Sequence, residues 1–365
     1  MSRPRFPSPA RVVVKVGSSS LRTPEGDLDR RLAAALVDQL AAVRAGGSEV
    51  VLVSSGAVAA GLGPLGLARR PTDLPQLQAA ASVGQGLLLH TYEDRFAGHG
   101  LACGQLLLTP DDVVDRTRYL NARSTFDTLL ALGAVPIVNE NDTVATEELR
   151  FGDNDRLAAL VASMLGARLL VLLTDVDGLL DVAGSGEVID RVDDLNAVEV
   201  PRDRRAGSEV GSGGIASKLE AARIATFSGA SAVIANARRP GVVGDAVGGA
   251  AVGTWFPPSS RRPESRKLWI AFARTPRGAL SVDAGAEHAL RARGSSLLPV
   301  GITGAAGDFR PGDAVDVRGP DGALIARGLV GYDREGVEAL RADERDASTP
   351  RSSAVVIHRN QLVLL

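Results

Sequence analysis

Through its first 255 residues the chain alternates short, continuous apolar runs with helical patterns, and this restricts it to one broad architecture. The runs are Val12–Val16, Val50–Val53, Leu106–Leu108, Val135–Val138, Leu169–Leu173 and Ala232–Ala235. An apolar run without polar interruption suits a strand covered on both faces. Between the runs, Arg30–Arg44, Leu74–Phe96, Tyr119–Leu132, Asp155–Leu165 and Ile215–Phe227 carry helical spacing. Strand–helix alternation predicts an α/β domain, a mostly parallel sheet sandwiched by helices. Ligands of such sheets bind beyond the carboxyl ends of the strands.

The pattern changes near Trp255, where FPPSSRRPESRK has the proline and charge content of a linker. Short strand-like runs follow at Ala279–Val282, Leu297–Val300, Ala314–Val317, Leu324–Leu329 and Val355–Ile357, punctuated by Pro-Gly-Asp and Pro-Asp-Gly turns. They predict a small β-rich domain of roughly 95 residues. The expected division is residues 1–256, a linker at 257–267, and residues 268–365. At 365 residues the chain exceeds one typical core, which agrees with two domains.

Bulk properties exclude several classes of function. A 45% hydrophobic and 23% charged composition is that of a soluble globular protein, and the formal net charge of −2 gives no field for nucleic acid or membrane. No run of 18 apolar residues occurs, and the N-terminal apolar run is too short for a secretory core. The single cysteine, Cys103, excludes an internal disulfide and points to a reducing compartment, so the cytoplasm is the expected location. Cys103 lies in ACGQLLL, read as a buried strand, and is taken as a small hydrophobe. The four histidines are scattered without ligand spacing, so no zinc site is expected.

Lysine usage is the sharpest chemical signal. Of 41 basic residues only three are lysine: Lys15, Lys218 and Lys267. Two of them sit in glycine- and serine-rich segments, VVKVGSSS and GSGGIASKLEAARIA, whereas Lys267 lies in the linker-like stretch. Lysine is a compact charge on a flexible stem and suits a phosphoryl group that moves. Gly17 and the serines after it expose backbone N–H groups to a polyphosphate. Lys218 falls in the first turn of a helix, where its charge opposes the macrodipole unless an anion is near. Neither loop is a Walker A motif. GLGPLG (residues 61–66) fits G-x-G-x-x-G but follows a helical pattern and contains Pro64, so it is discounted as a dinucleotide fingerprint.

Three further segments end buried strands in polar residues. NENDTVATEELRFGDNDRLAAL (residues 139–160) collects Glu140, Asp142, Asp153 and Asp155 with Asn139, Asn141 and Asn154. Asp153 or Asn154 could simply cap the following helix, but that leaves the density of acids and amides unexplained. Acids that hold Mg²⁺ or orient lysines, and amides that grip an amino-acid head group, explain it. LLVLLTDVDGLL (residues 169–180) ends in Thr174, Asp175 and Asp177, and alone reads equally as a polar turn or a nucleotide-site element. VLVSSGAVAAG (residues 51–61) starts a helix at Ser54, Ser55 and Gly56, a pocket for carboxylate or phosphate. No histidine is near enough in sequence to make Ser55 a nucleophile.

VVKVGSSSL, VLVSSGAVAAG, PIVNENDTVA, FGDNDRLAALVA, LLTDVDGL and GSGGIASKLEAA, in this order and spacing, resemble the amino acid kinase family, and within it the branch acting on L-glutamate. GSSLLPVGI and GDFRPGDAV resemble the C-terminal PUA domain found in bacterial members of that branch, a small barrel-like fold. The resemblance covers essentially the whole chain. It implies ATP- and Mg²⁺-dependent phosphorylation of the L-glutamate γ-carboxylate, the first step of proline synthesis. It further implies that Lys15 and Lys218 neutralise the transferring phosphoryl group and that Asp155 holds both. Ser55, Gly56, Asp142 and Asn154 would bind glutamate. Lys15, Gly17, Thr174, Asp175 and the loop Ser212, Gly213, Gly214, Ile215, Ala216, Ser217 and Lys218 would bind the nucleotide. Proline as feedback inhibitor, a homodimer or tetramer, and a γ-glutamyl phosphate reductase partner also follow from the resemblance alone. The rivals are a sibling kinase acting on another carboxylate, carbamate or UMP, and an RNA-binding protein. From residue 257 onward 16 basic and 13 acidic residues give only +3, a faint footprint for RNA.

Overall fold

The structure is a computed structural model. It describes residues 3–6, 8, 10–24, 26–109, 112–113, 115–144, 154–181, 185–195, 198, 214–259, 276–345 and 354–364. The chain divides into two compact units, Met1–Arg262 and Pro263–Leu365. The segment expected as a linker lies, from residue 260 on, outside the described residues.

The first unit runs β1 (Arg11–Val16), α1 (Arg30–Ala45), β2 (Glu49–Ser54), α2 (Ala57–Leu62), α3 (Leu74–Ala97), β3 (Cys103–Leu108), α4 (Arg116–Ala131), β4 (Val135–Glu140), α5 (Asn154–Met164), β5 (Leu169–Thr174), α6 (Ile215–Phe227), β6 (Ser231–Asn236), α7 (Val242–Gly248) and β7 (Thr254–Phe256). Its seven strands form one sheet in the order β3-β4-β2-β1-β5-β6-β7, parallel except for the β6–β7 pair. From β1 the chain first builds the β2 side and then, from β5, the opposite side. The β1/β5 boundary is therefore the crevice where a ligand of such a sheet binds.

Strand alternation decides which residues of β1 enter the core. Val12, Val14 and Val16 pack with Leu36, Val37 and Leu40 of α1 and with Val242 and Val243 of α7. Side chains alternate across a strand, so Val13 and Lys15 face the other side, where α5 contacts β1. Lys15 is paired in register with Val53 of β2 and Leu172 of β5, so its stem rises between two apolar strands.

The central strands match their predicted runs closely, and α6 matches residue for residue. The edge differs. β3 borders only β4, and Cys103 is half-buried, not in a strand covered on both faces. Burial pushes its thiol up to about 11, so it stays protonated and unreactive near neutrality.

Helices α2 and α3 cross at two glycines. A Cβ on Gly84 would lie 1.8 Å from the Ala57 carbonyl oxygen, and one on Gly61 would lie 1.9 Å from that of Ala80. Gly61 thus serves helix packing, in line with the rejection of GLGPLG as a dinucleotide loop. Gly84→Ala should destabilise the chain by about 2–3 kcal/mol through forced separation of backbones. Gly86→Ala, two residues on in the same helix and facing open space, should stabilise it by up to about 1 kcal/mol. Denaturant unfolding of the full-length variants checks both signs.

The second unit contains β8 (Gly278–Val282), α8 (Ala284–Arg293), β9 (Ile302–Gly307), β10 (Ala314–Arg318), β11 (Leu324–Leu329), α9 (Arg334–Arg345) and β12 (Leu362–Leu364). The strands form a mostly antiparallel sheet in the order β12-β11-β10-β8-β9 around Leu280, Phe309, Val315, Ile325 and Val337. Two predicted strands are absent. Pro299 starts a 3-10 turn, Pro299–Gly301, which replaces the run at Leu297–Val300, and the Val355–Ile357 run contributes one isolated bridge, Ile357 to Leu297.

Candidate active site

The site begins at the carboxyl ends of β1, β2, β4 and β5. Lys15 Nζ lies 2.5 Å from Asp155 Oδ1, and Lys218 Nζ lies 3.2 Å from Asp155 Oδ2. Ser217 Oγ donates to the same Oδ2 at 2.8 Å. Two ammonium groups carried more than 200 positions apart in sequence therefore meet one carboxylate. Asp155 is fully buried, and only 4% of Lys15 and 6% of Lys218 is exposed. Burial alone would raise the Asp155 carboxyl, but Lys15, Lys218 and Ser217 outweigh it and hold it at about 2. Asp155 stays ionised near neutrality, and the triad keeps a net charge of +1.

Helix geometry supports this arrangement. Asp155 occupies the first turn of α5, where an acid is favoured by the macrodipole. Lys218 occupies the first turn of α6, where a cation is disfavoured, and Asp155 supplies the compensating charge. Gly214 caps α6 without any side-chain hydrogen bond, and a Cβ placed on it would meet nothing within 4 Å. The first N–H groups of a helix have no intrahelical partner, and a phosphate is a natural one. Gly17 lies beside Lys15, where a Cβ would come 3.6 Å from the ammonium. Ser212 and Gly213 lie outside the described residues. Of the rest of that loop, Ile215 is half-buried and Ala216 exposed.

A second cluster lies at the ends of β2 and β4. Asn154 Nδ2 reaches the Ser54 carbonyl oxygen at 3.0 Å, Ser55 Oγ at 3.0 Å and Asn139 Oδ1 at 2.8 Å. Asn139 Oδ1 also accepts from the Glu140 amide at 2.9 Å. Asn139 Nδ2 and Asn154 Oδ1 are buried and find no partner among the described residues, leaving a donor group and an acceptor in the same cluster. Such atoms call for a ligand or water. Gly56, with φ of 102°, turns the chain between β2 and α2 in a conformation that glycine tolerates best. Asp142 starts a 3-10 turn after β4. Burial pushes its carboxyl up to about 6 against the opposing pull of Arg70.

At the end of β5, Thr174 Oγ1 donates to Asp175 Oδ1 at 3.0 Å, and the Ala237 amide donates to the Thr174 carbonyl at 2.8 Å, tying β5 to β6. Asn236 Nδ2 donates to Asp177 Oδ1 at 2.9 Å. Of the described residues predicted for the site, Lys15, Gly17, Ser55, Gly56, Thr174 and Asp175 lie at or just after strand ends, Asp142 in a 3-10 turn, and Asn154, Asp155 and residues 214–218 at the starts of α5 and α6. Asn139 was noted in the sequence only as part of the polar cluster; its bond to Asn154 gives it a place in the site.

The decisive comparison concerns most of the first unit. The amino acid kinase family profile matches residues 10–236, and the PUA domain profile matches residues 278–349. The chain belongs to the amino acid kinase family. Curated relatives extend this over the full length. Glutamate 5-kinase of Streptomyces avermitilis is 51% identical over 97% of this chain and 96% of its own. That of Thermobifida fusca is 51% identical over 97% and 93%, and that of Salinispora arenicola 50% identical over all of both chains. Among the described residues, no helix is long and apolar enough to cross a membrane.

Proposed function

We propose that this chain is a glutamate 5-kinase: it transfers the γ-phosphoryl group of ATP to the γ-carboxylate of L-glutamate, giving γ-glutamyl phosphate in the first step of proline biosynthesis. The observation that carries this reading is the convergence of Lys15 and Lys218 on Asp155 beside a glycine-capped helix. A carboxylate is already ionised near pH 7, so the reaction needs no general base. A γ-carboxylate oxygen attacks the γ-phosphorus, the bond to the bridging oxygen breaks, and ADP leaves with the electron pair. What remains for the protein is positioning and electrostatics.

In this reading Lys15, Lys218 and the first N–H groups of α6 bind the phosphates, and Asp155 keeps both lysines in place without neutralising them fully. Thr174, Asp175, Gly17 and residues 212–218 line the nucleotide. Mg²⁺ would be held chiefly by the triphosphate oxygens and would offset their charge. Ser55, Gly56 and Asn154 hold glutamate, and Asp142 meets its ammonium. The cytoplasm as compartment, feedback by proline, assembly into a homo-oligomer and delivery to a reductase belong to the same reading. The faint charge of the second unit does not favour RNA binding.

A substrate panel tests the assignment. With ATP and Mg²⁺, ADP should form rapidly with L-glutamate and at background rates with L-aspartate, N-acetylglutamate, carbamate or UMP. Faster turnover of any of these four would move the chain to a sibling activity.

The Asp142 carboxyl gives a pH signature. It is charged above about 6 and neutral below. An ammonium ligand favours the charged form, so kcat/KM for L-glutamate should fall with a slope near one as pH drops from about 6.5 to 5. Asp142→Asn should lower kcat/KM and flatten that limb. An unchanged limb in the variant would remove Asp142 from the ammonium site.

A further inference from the structure

The 24-residue helix α3 carries no residue that the proposed reaction uses, yet it is hydrogen-bonded to both strand ends that bear the amide cluster. Tyr92, one of only three tyrosines in the chain, is fully buried five residues before its C-terminal end. Its hydroxyl lies 2.8 Å from Ser54 Oγ, and Ser54 Oγ donates to the Ser55 carbonyl oxygen at 3.1 Å. A serine hydroxyl has one proton. Since Ser54 gives that proton to Ser55, the Tyr92 hydroxyl must be the donor between the two. The bonds thus run one way, from Tyr92 to Ser54 to the Ser55 carbonyl. Burial pushes the phenol above its ordinary value, which keeps it a donor at working pH.

Two turns earlier on the same face, Gln85 Nε2 donates to the Glu140 carbonyl at 3.3 Å, and Gln85 Oε1 accepts from Gln105 Nε2 at 3.2 Å. Beside it, Gly84 sets the approach of α2. The Ser55 peptide is therefore held from the interior by Tyr92, while Asn154 holds the Ser54 carbonyl and the Ser55 hydroxyl from the other side. The bonds of Tyr92 and Gln85 thus reach the ends of β2 and β4, on the glutamate side, rather than β5 or α6, the elements assigned to the nucleotide.

We infer that Tyr92 is a positioning residue for glutamate, acting through Ser54 to fix the Ser55 peptide and its hydroxyl. The inference rests on the assignment of Ser55 to glutamate. Its signature is a split between the two substrates: the glutamate side loosens while the ATP side does not. A residue that merely stabilised the core would shift both or neither.

Steady-state kinetics of the full-length Tyr92→Phe variant test this. KM for L-glutamate should rise about five- to tenfold, the scale of one lost buried hydrogen bond, with KM for ATP and kcat nearly unchanged. Ser54→Ala should give the same split, and the double variant should be little worse than either alone, since both cut one chain of bonds. Should Tyr92→Phe fail to fold, Ser54→Ala decides alone. An unchanged KM for L-glutamate in a folded variant, or an equal rise in both KM values, would overturn the inference. If the wild-type chain itself turned over no glutamate, the functional assignment would fall and this inference with it. A wild type that turns over glutamate beside variants lacking the split sinks this inference alone.

Discussion

Asp155→Asn is expected to cut turnover at least about 100-fold and to lower the melting temperature of the full chain by about 10 °C. The reason is the arrangement of charge. Asp155 is fully buried between two ammonium groups, so the isosteric amide leaves two positive charges facing each other with no counter-charge. Removing one partner of a buried ion pair costs about 3–5 kcal/mol. The two ammonium groups then repel each other, and their separation displaces them from the phosphoryl group. ATP should return much of the lost melting temperature, because its triphosphate supplies the missing negative charge. The stability from Asp155 ionisation has a defined pH window. Its carboxyl is depressed from 3.8 to about 2, so the contribution is present above 3.8 and lost as pH falls through about 2. A thermal melt with and without ATP, beside a turnover assay, checks both halves. A variant with wild-type melting and turnover would contradict the triad's role.

Lys218→Ala should lower kcat by about three orders of magnitude while leaving both KM values within a few-fold. An ammonium about 4 Å from a unit charge contributes roughly 4 kcal/mol at an effective dielectric near 20, which is close to a thousandfold in rate. The variant should still fold, because Asp155 retains its bond to Lys15 at 2.5 Å. Lys218→Arg should not restore turnover, since a planar fork cannot follow a moving phosphoryl group as an ammonium does. A kcat within tenfold of wild type in Lys218→Ala would remove that lysine from the transfer step.

The sequence carried the sheet because its central strands are covered on both faces and leave uninterrupted apolar runs. It misled at β3, an edge strand whose half-exposed residues resemble those of a covered one when read by composition. In the second unit, α8 was missed because Leu290 is its single buried residue, so no apolar stripe marks it. Strand β9, ITGAAG, is mostly small residues, Gly304 to Gly307, and leaves no apolar run to mark it. In the site, Lys15 and Lys218 stood out because lysine is so rare here, and Lys218 also sits against its helix dipole. Their meeting at Asp155 was implied only by family resemblance, since no local spacing relates positions 15, 155 and 218. Tyr92 was invisible for the same reason: its partner Ser54 is 38 residues earlier on another element.

The account rests on a carboxylate oxygen of glutamate attacking phosphorus in front of the paired lysines, and an isotope measurement reads that bond directly. L-glutamate carrying ¹⁸O in both γ-carboxylate positions is turned over with ATP and Mg²⁺, and the product is cleaved by hydroxylamine at the acyl carbon. The account predicts γ-glutamyl hydroxamate in step with ADP, and one ¹⁸O in each phosphate released. Unlabelled phosphate, or ADP formed without hydroxamate, would mean that water is the acceptor and would contradict it.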